Sequence, residues 1–334
     1  MTTNQQNTTA HLAPYRPSDQ MFDLPVRGVT YYPDHPFTQQ LNQACSEDEL
    51  DKFKAILAEW CRAEDPSPPR GPSIYPMAPV EPCFYHAIRL DRSTFVALML
   101  DQGVLMCHLA ASVAIEYKCS TAMWEVFLDN GMFDLNVPFS RVDPPPLAFV
   151  LHNEELVRWL LAHGADPNVE TSWGLTPFLK AVGHAPLSIV KLLHEAGGSI
   201  AIAVPFACMP SPSRPPDDDR LEVLRYLLDL GADPNAPKWA HNRNGRHSDF
   251  DWGSTLNAVL ANGRSDLAEE LLHRGARTDF RSFNIASRDE TALEIAARRV
   301  PSIVPLIEEC RAREKGDTEG RDDQASSSSL GRCA

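Results

Sequence analysis

Segment 238–251, KWAHNRNGRHSDFD, carries the side chains of this sequence that are best suited to contact another molecule. Aromatic and arginine side chains supply much of the binding energy in protein interfaces. We therefore predict partner contacts by five residues in and beside this segment: Trp239, Arg243, Arg246, Phe250 and Trp252. A second interpretation stays open, in which the segment is a solvated loop whose aromatic side chains fold back on the protein.

Metal and thiol chemistry are not indicated. His241 and His247 lie in the same segment, but no cysteine or carboxylate accompanies them at the spacing of a metal site. The eight cysteines contain no C-x-x-C pair, which excludes a zinc ribbon and a redox dithiol; they stand at positions 45, 61, 83, 107, 119, 208, 310 and 333. We expect reduced, structural thiols, with no metal and no cofactor.

Catalytic motifs are also absent. The sequence contains no G-x-G-x-x-G after a strand, no G-x-x-x-x-G-K-[ST], no G-x-S-x-G and no H-E-x-x-H. Asp217, Asp218 and Asp219 supply three carboxylates, which we interpret as a solvated charge cluster that precedes a helix beginning near Leu221. We therefore predict that the chain is not an enzyme.

A repeat organises the chain. The pentapeptide GADPN occurs at Gly164–Asn168 and again at Gly231–Asn235, which are 231 − 164 = 67 residues apart. A weaker copy lies midway, in SIVKLLHEAGGSI, where Gly197 follows Gly164 by 197 − 164 = 33 residues. A fixed period of this length is typical of stacked helical repeats, in which each unit covers the apolar face of its neighbour.

The spelling of the repeat has a physical basis. Apolar residues lie one turn apart in the helix before each pentapeptide, as Leu156 and Leu160 do. Glycine then ends the helix, because it adopts the left-handed conformation without a steric penalty. Asp and Asn form the turn that follows. We assign the helix-ending role to Gly103, Gly131, Gly164, Gly197, Gly231 and Gly275, and the turn-forming role to Asp166, Asn168, Asp233 and Asn235.

These motifs resemble ankyrin repeats. The family's T-P-L-H-x-A signature appears as TPFLKA at Thr176–Ala181, with Thr176 and Pro177 in place, and as TALEIA at Thr291–Ala296. His86, in FYHAI, keeps the histidine of the signature, which in the family forms a local hydrogen bond. The resemblance implies an all-α fold, an ankyrin-type α-solenoid of stacked helix-turn-helix repeats with projecting hairpin loops.

We predict three regions. Residues 37–312 form the repeat array, with roughly seven or eight repeats and degenerate ends. Residues 1–36, rich in Gln, Asn, Thr and Pro, and residues 313–334, charged and then serine-rich, are predicted to be disordered. Pro301 and Pro305 are expected to disturb the second helix of the last repeat.

The net charge of −14 argues against nucleic acid as the main partner, and we attribute it to the solubility of an elongated surface. No run of residues reaches the length of a membrane span, and the N-terminus lacks the features of a secretory signal. We expect a cytoplasmic or nuclear protein that is not secreted and is monomeric by itself.

The resemblance implies protein–protein interaction through the concave side formed by hairpin tips and first helices. Trp173 precedes a predicted hairpin and is a further contact candidate, although packing between hairpins is the alternative. We predict a scaffold or adaptor that binds a client protein. The alternative is a nuclear transcription co-regulator that binds a transcription factor rather than DNA.

Overall fold

The computed structural model describes residues 36–62, 80–104, 106, 108–131, 133–209, 219–236, 253–282 and 289–314. These residues are helical, with no β-strand among them, which confirms the all-α prediction. The chain divides into two compact units, Met1–Val169 and Glu170–Ala334.

The first unit is built from helix pairs. In chain order its helices are α1 (Pro36–Ser46), α2 (Leu50–Arg62), α3 (Glu81–Arg89), α4 (Ser93–Asp101), α5 (His108–Glu116), α6 (Thr121–Asp129), a 3-10 helix (Pro146–Phe149) and α7 (Glu154–Ala162). The first helices of successive pairs pack side by side, α1 on α3 and α3 on α5. The second helices form the other layer, because α2 packs on α4 and α4 on α6.

The second unit repeats this plan. Its helices are α8 (Pro177–His184), α9 (Leu187–Glu195), α10 (Ala203–Ala207), α11 (Arg220–Asp229), α12 (Thr255–Ala261), α13 (Ser265–His273), α14 (Ala292–Arg299), a 3-10 helix (Pro301–Ile303) and α15 (304–314). The second helices α9, α11 and α13 pack in sequence, and among the first helices α8 packs on α10 and α12 on α14.

The asparagine of each repeat turn joins that turn to the next. Asn235 Nδ2 donates a hydrogen bond to the carbonyl oxygen of Gly275 at 3.1 Å, and its Oδ1 accepts one from the N–H of Arg277 at 2.8 Å. In the first unit, Asn136 forms the same two bonds, with Gly164 O at 2.9 Å and Asp166 N at 2.7 Å. A side-chain amide that both donates and accepts in this way satisfies backbone groups that a helix end leaves unpaired.

Helix starts follow the sequence motifs. Thr176 Oγ1 accepts a hydrogen bond from Leu179 N at 3.1 Å and so caps α8, with Pro177 in the first position of the helix. At the C-terminal end, a 3-10 turn begins at Pro301 and α15 follows from residue 304, so that Pro305 lies in its first turn. Proline is tolerated in the first turn of a helix. The disturbance expected from the two prolines is therefore confined to the entry into α15.

The described cysteine side chains are buried free thiols: Cys45, Cys83, Cys119, Cys208 and Cys310. The side chains of Cys61, Cys107 and Cys333 lie outside the described set. Burial raises the pKa of Cys119 to about 12, and its thiol donates a hydrogen bond to the carbonyl oxygen of Ile88 at 3.1 Å. A thiol of such high pKa is protonated at neutral pH and unreactive, as expected of a structural cysteine.

Candidate protein-interaction surfaces

Trp173 lies in a tight turn between residues 171 and 175. The N–H of Thr171 donates to the carbonyl oxygen of Leu175 at 3.0 Å, and the N–H of Gly174 donates to the carbonyl oxygen of Thr171 at 2.9 Å. The buried Thr171 hydroxyl accepts from the N–H of Trp173 at 3.3 Å and from that of Leu175 at 3.1 Å. Gly174 has a φ of 71°, which glycine adopts without strain. Four hydrogen bonds therefore fix the backbone on both sides of Trp173.

The Trp173 side chain is displayed rather than enclosed. It is 56% exposed, more than any other exposed large hydrophobic residue among those the structure describes. Tryptophan is highly buried on average in folded proteins, so this degree of exposure on a fixed backbone is unusual. The exposure favours a contact role over packing between neighbouring hairpins.

The other predicted contact residues cannot be compared with the structure in this way. Trp239, Arg243, Arg246, Phe250 and Trp252 all lie outside the described residues, as do His241 and His247. The two interpretations of segment 238–251 therefore remain predictions.

A strip of polar side chains crosses the first helices of the first unit. Ser46 Oγ, at the end of α1, lies 2.8 Å from Nε2 of His86 on α3. Arg89 lies one turn after His86, and its guanidinium carbon is 5.9 Å from the centre of the Tyr117 ring, just past the end of α5. Burial, and next the charge of Arg89, lower the pKa of His86, so its imidazole is neutral at neutral pH. The hydrogen bond of His86 thus joins two helix pairs.

Exposed apolar side chains lie beside this strip. Leu90 is 41% exposed, Leu109 is 46% exposed and Tyr117 is 48% exposed. Sequence reasoning did not select Arg89 or Tyr117. Both stand at the C-terminal ends of successive first helices, and this shared register within the repeat is the signal that would have found them.

Metal and membrane chemistry find no support in the described part of the chain. Over the ranges given above, no cluster of three or more His, Cys, Asp or Glu side chains is arranged to bind a metal ion. None of the described helices has the length and apolar character needed to cross a bilayer.

Comparison with known families agrees with the repeat interpretation. Residues 147–194 match the family model described as ankyrin repeats (many copies). This range includes the first GADPN pentapeptide and TPFLKA at Thr176–Ala181. A search of curated proteins gave no match.

Proposed function

We propose that this chain, an ankyrin repeat protein, is a scaffold or adaptor that binds a client protein through the turn that carries Trp173. Ankyrin repeats are generally protein–protein interaction modules and are typically non-catalytic. The observation that carries the proposal is the exposed Trp173 side chain on a backbone fixed by four hydrogen bonds. The client is a protein, and the chain contributes recognition rather than chemistry.

The physical gain from this arrangement is large. An indole ring buries roughly 150–250 Å² when it is enclosed by a partner, and tryptophan is enriched among the residues that dominate binding energy. Binding also costs free energy when loops and side chains must be ordered. Because the turn between Thr171 and Leu175 is already fixed, that cost falls mainly on the partner. A fixed, exposed tryptophan is therefore a suitable anchor for a client.

Trp173→Ala is expected to reduce client capture by about 30-fold, the equivalent of a 2 kcal/mol contribution from an interface anchor. The melting temperature should change little, because the side chain is more than half exposed and the turn bonds are made by Thr171 and Gly174. Capture from cell extract by the immobilised chain, quantified by mass spectrometry, measures the loss protein by protein.

Leu230→Ala is the matched control. Leu230 is also an exposed large apolar residue, at 41%, but it ends α11 and lies outside the turn. The proteins captured by the original chain should be retained by this variant and lost with Trp173→Ala. If both variants capture the same proteins as the original chain, in the same amounts, Trp173 is not the anchor and the proposal fails.

A further inference from the structure

The charged side chains of the described surface are mostly paired. Arginines pair with carboxylates in both units: Arg92 with Asp48, Arg158 with Glu154, Arg225 and Arg274 with Glu270, Arg264 with Asp266, Arg277 with Asp279, Arg298 with Glu290, and Arg313 with Glu309. Two cations of the first unit differ. Among the described residues, neither Arg89 nor Lys118 has a carboxylate oxygen within 4.0 Å.

Arg89 is held by an aromatic ring instead. Its guanidinium lies 5.9 Å from the centre of the Tyr117 ring, and Lys118 is the next residue in the chain. A guanidinium that stacks on a ring keeps its N–H edge free to bind a carboxylate with two parallel hydrogen bonds. In a chain of net charge −14, an arginine without a carboxylate partner is a specific feature of this position.

Apolar surface extends the site. Leu90 follows Arg89 directly, and Leu109 lies in the first turn of α5, whose C-terminal end leads to Tyr117. Leu109 and Tyr117 are eight residues apart, which corresponds to roughly 12 Å along a helix axis. An extended peptide covers that distance with about four residues. The Arg89–Tyr117 surface, defined as Arg89, Leu90, Leu109, Tyr117 and Lys118, therefore matches a short linear segment in size.

We propose that the Arg89–Tyr117 surface binds an acidic segment of a partner protein, with a partner carboxylate on Arg89 and a partner apolar side chain against Leu90, Leu109 and Tyr117. Charge complementarity selects this occupant, because the two cations lack carboxylate partners among the described residues. The exposed carboxylate of Glu116 lies beside Tyr117 in the sequence and would disfavour an acidic residue placed next to it. The proposal rests on the proposed function in that the partner is a protein, but it concerns a different unit from Trp173.

The test is selection of a displayed library of random peptides on the full chain. We expect the selected peptides to be enriched in Asp and Glu together with an apolar residue. Their affinity should fall at least tenfold for Arg89→Glu, and measurably for Tyr117→Ala. Affinity should also fall as the salt concentration rises from about 50 mM to about 500 mM, since exposed charge pairs are screened.

Arg158→Ala is the control, because Arg158 is an exposed arginine of the same unit that already pairs with Glu154 at 2.7 Å. It should bind the selected peptides as the original chain does. Circular dichroism of each variant establishes that the helices are retained. Peptides that lack acidic residues, peptides that bind Arg89→Glu with unchanged affinity, or a failure to select any peptide would each overturn the proposal.

Two further outcomes separate this inference from the proposed function. Selected peptides whose binding depends on Trp173 and not on Arg89 would leave the proposed function standing and remove this one. A single-stranded oligonucleotide that binds the chain and loses affinity with Arg89→Glu, while acidic peptides do not bind, would identify the surface as a phosphate site and likewise overturn the proposal.

Discussion

Replacing Arg220 with alanine is expected to lower the free energy of unfolding of the second unit by about 3–5 kcal/mol, because it breaks a buried ion pair and leaves its partners unsatisfied. Arg220 is only 2% exposed. Its guanidinium donates to the carbonyl oxygens of Val182 and Ala185 and lies 2.8 Å from the carboxylate of Asp219. Removing the side chain deprives three acceptors of a donor at one point of the fold.

Asp219 completes this cluster. Its second carboxylate oxygen accepts a hydrogen bond from the N–H of Leu187 at 2.7 Å, at the start of α9. Burial raises the pKa of Asp219, but the hydrogen bonds from Arg220 and Leu187 outweigh it and leave the pKa below its usual value. The two residues therefore fasten the start of α11 to the junction between α8 and α9.

Urea unfolding followed by circular dichroism measures the effect of Arg220→Ala. Arg158→Ala is the control, since its ion pair with Glu154 is exposed on both sides and should contribute no more than about 1 kcal/mol. A loss for Arg220→Ala as small as that of the control would show that the cluster does not stabilise the fold.

Gly253→Ala is expected to destabilise the second unit by about 2–5 kcal/mol. Gly253 has a φ of +78°, which strains an alanine by about 1–2 kcal/mol. A Cβ added there would also lie 1.9 Å from the carbonyl oxygen of Arg281, so the backbone at Arg281 or at Gly253 must shift. Forcing extra atoms into a filled space typically adds about 1–3 kcal/mol.

Gly263→Ala isolates the second contribution. Gly263 has nearly the same φ, +75°, but a Cβ there would have no heavy atom within 4 Å. Thermal melts of the two variants should therefore differ, with Gly263→Ala showing the conformational strain alone. Equal melting temperatures would mean that the chain does not approach Gly253 as closely as the structure has it.

The helix ends could be predicted from the sequence because their causes are local. A glycine followed by Asp and Asn after an apolar helix needs only a few neighbouring residues to end that helix, and Gly164 and Gly231 have φ values of 91° and 89°. The links made by Asn136 and Asn235 to the following turns could not be predicted, since each spans about one repeat or more.

Arg220 and Asp219 show a second limit. The Asp217–Asp219 run was interpreted as a solvated charge cluster that precedes a helix, and α11 does begin at Arg220. Asp219, however, is hydrogen-bonded to the buried Arg220, and this part of the interpretation was wrong for that residue. Charged residues are almost never fully buried unless they are paired, and the carbonyl groups that receive Arg220 come from a distant helix. The contact between Arg89 and Tyr117 escaped prediction for the same reason.

The most direct test of the proposed function is site-specific photo-crosslinking in cells, with a photoreactive phenylalanine derivative placed at Trp173 and, for comparison, at Leu230. The proposed function predicts that the probe at Trp173 gives a discrete crosslinked protein on irradiation, and that the probe at Leu230 does not. The same crosslinked protein from both positions, or none from Trp173 in cells that contain the folded chain, would contradict the claim that this turn binds a client.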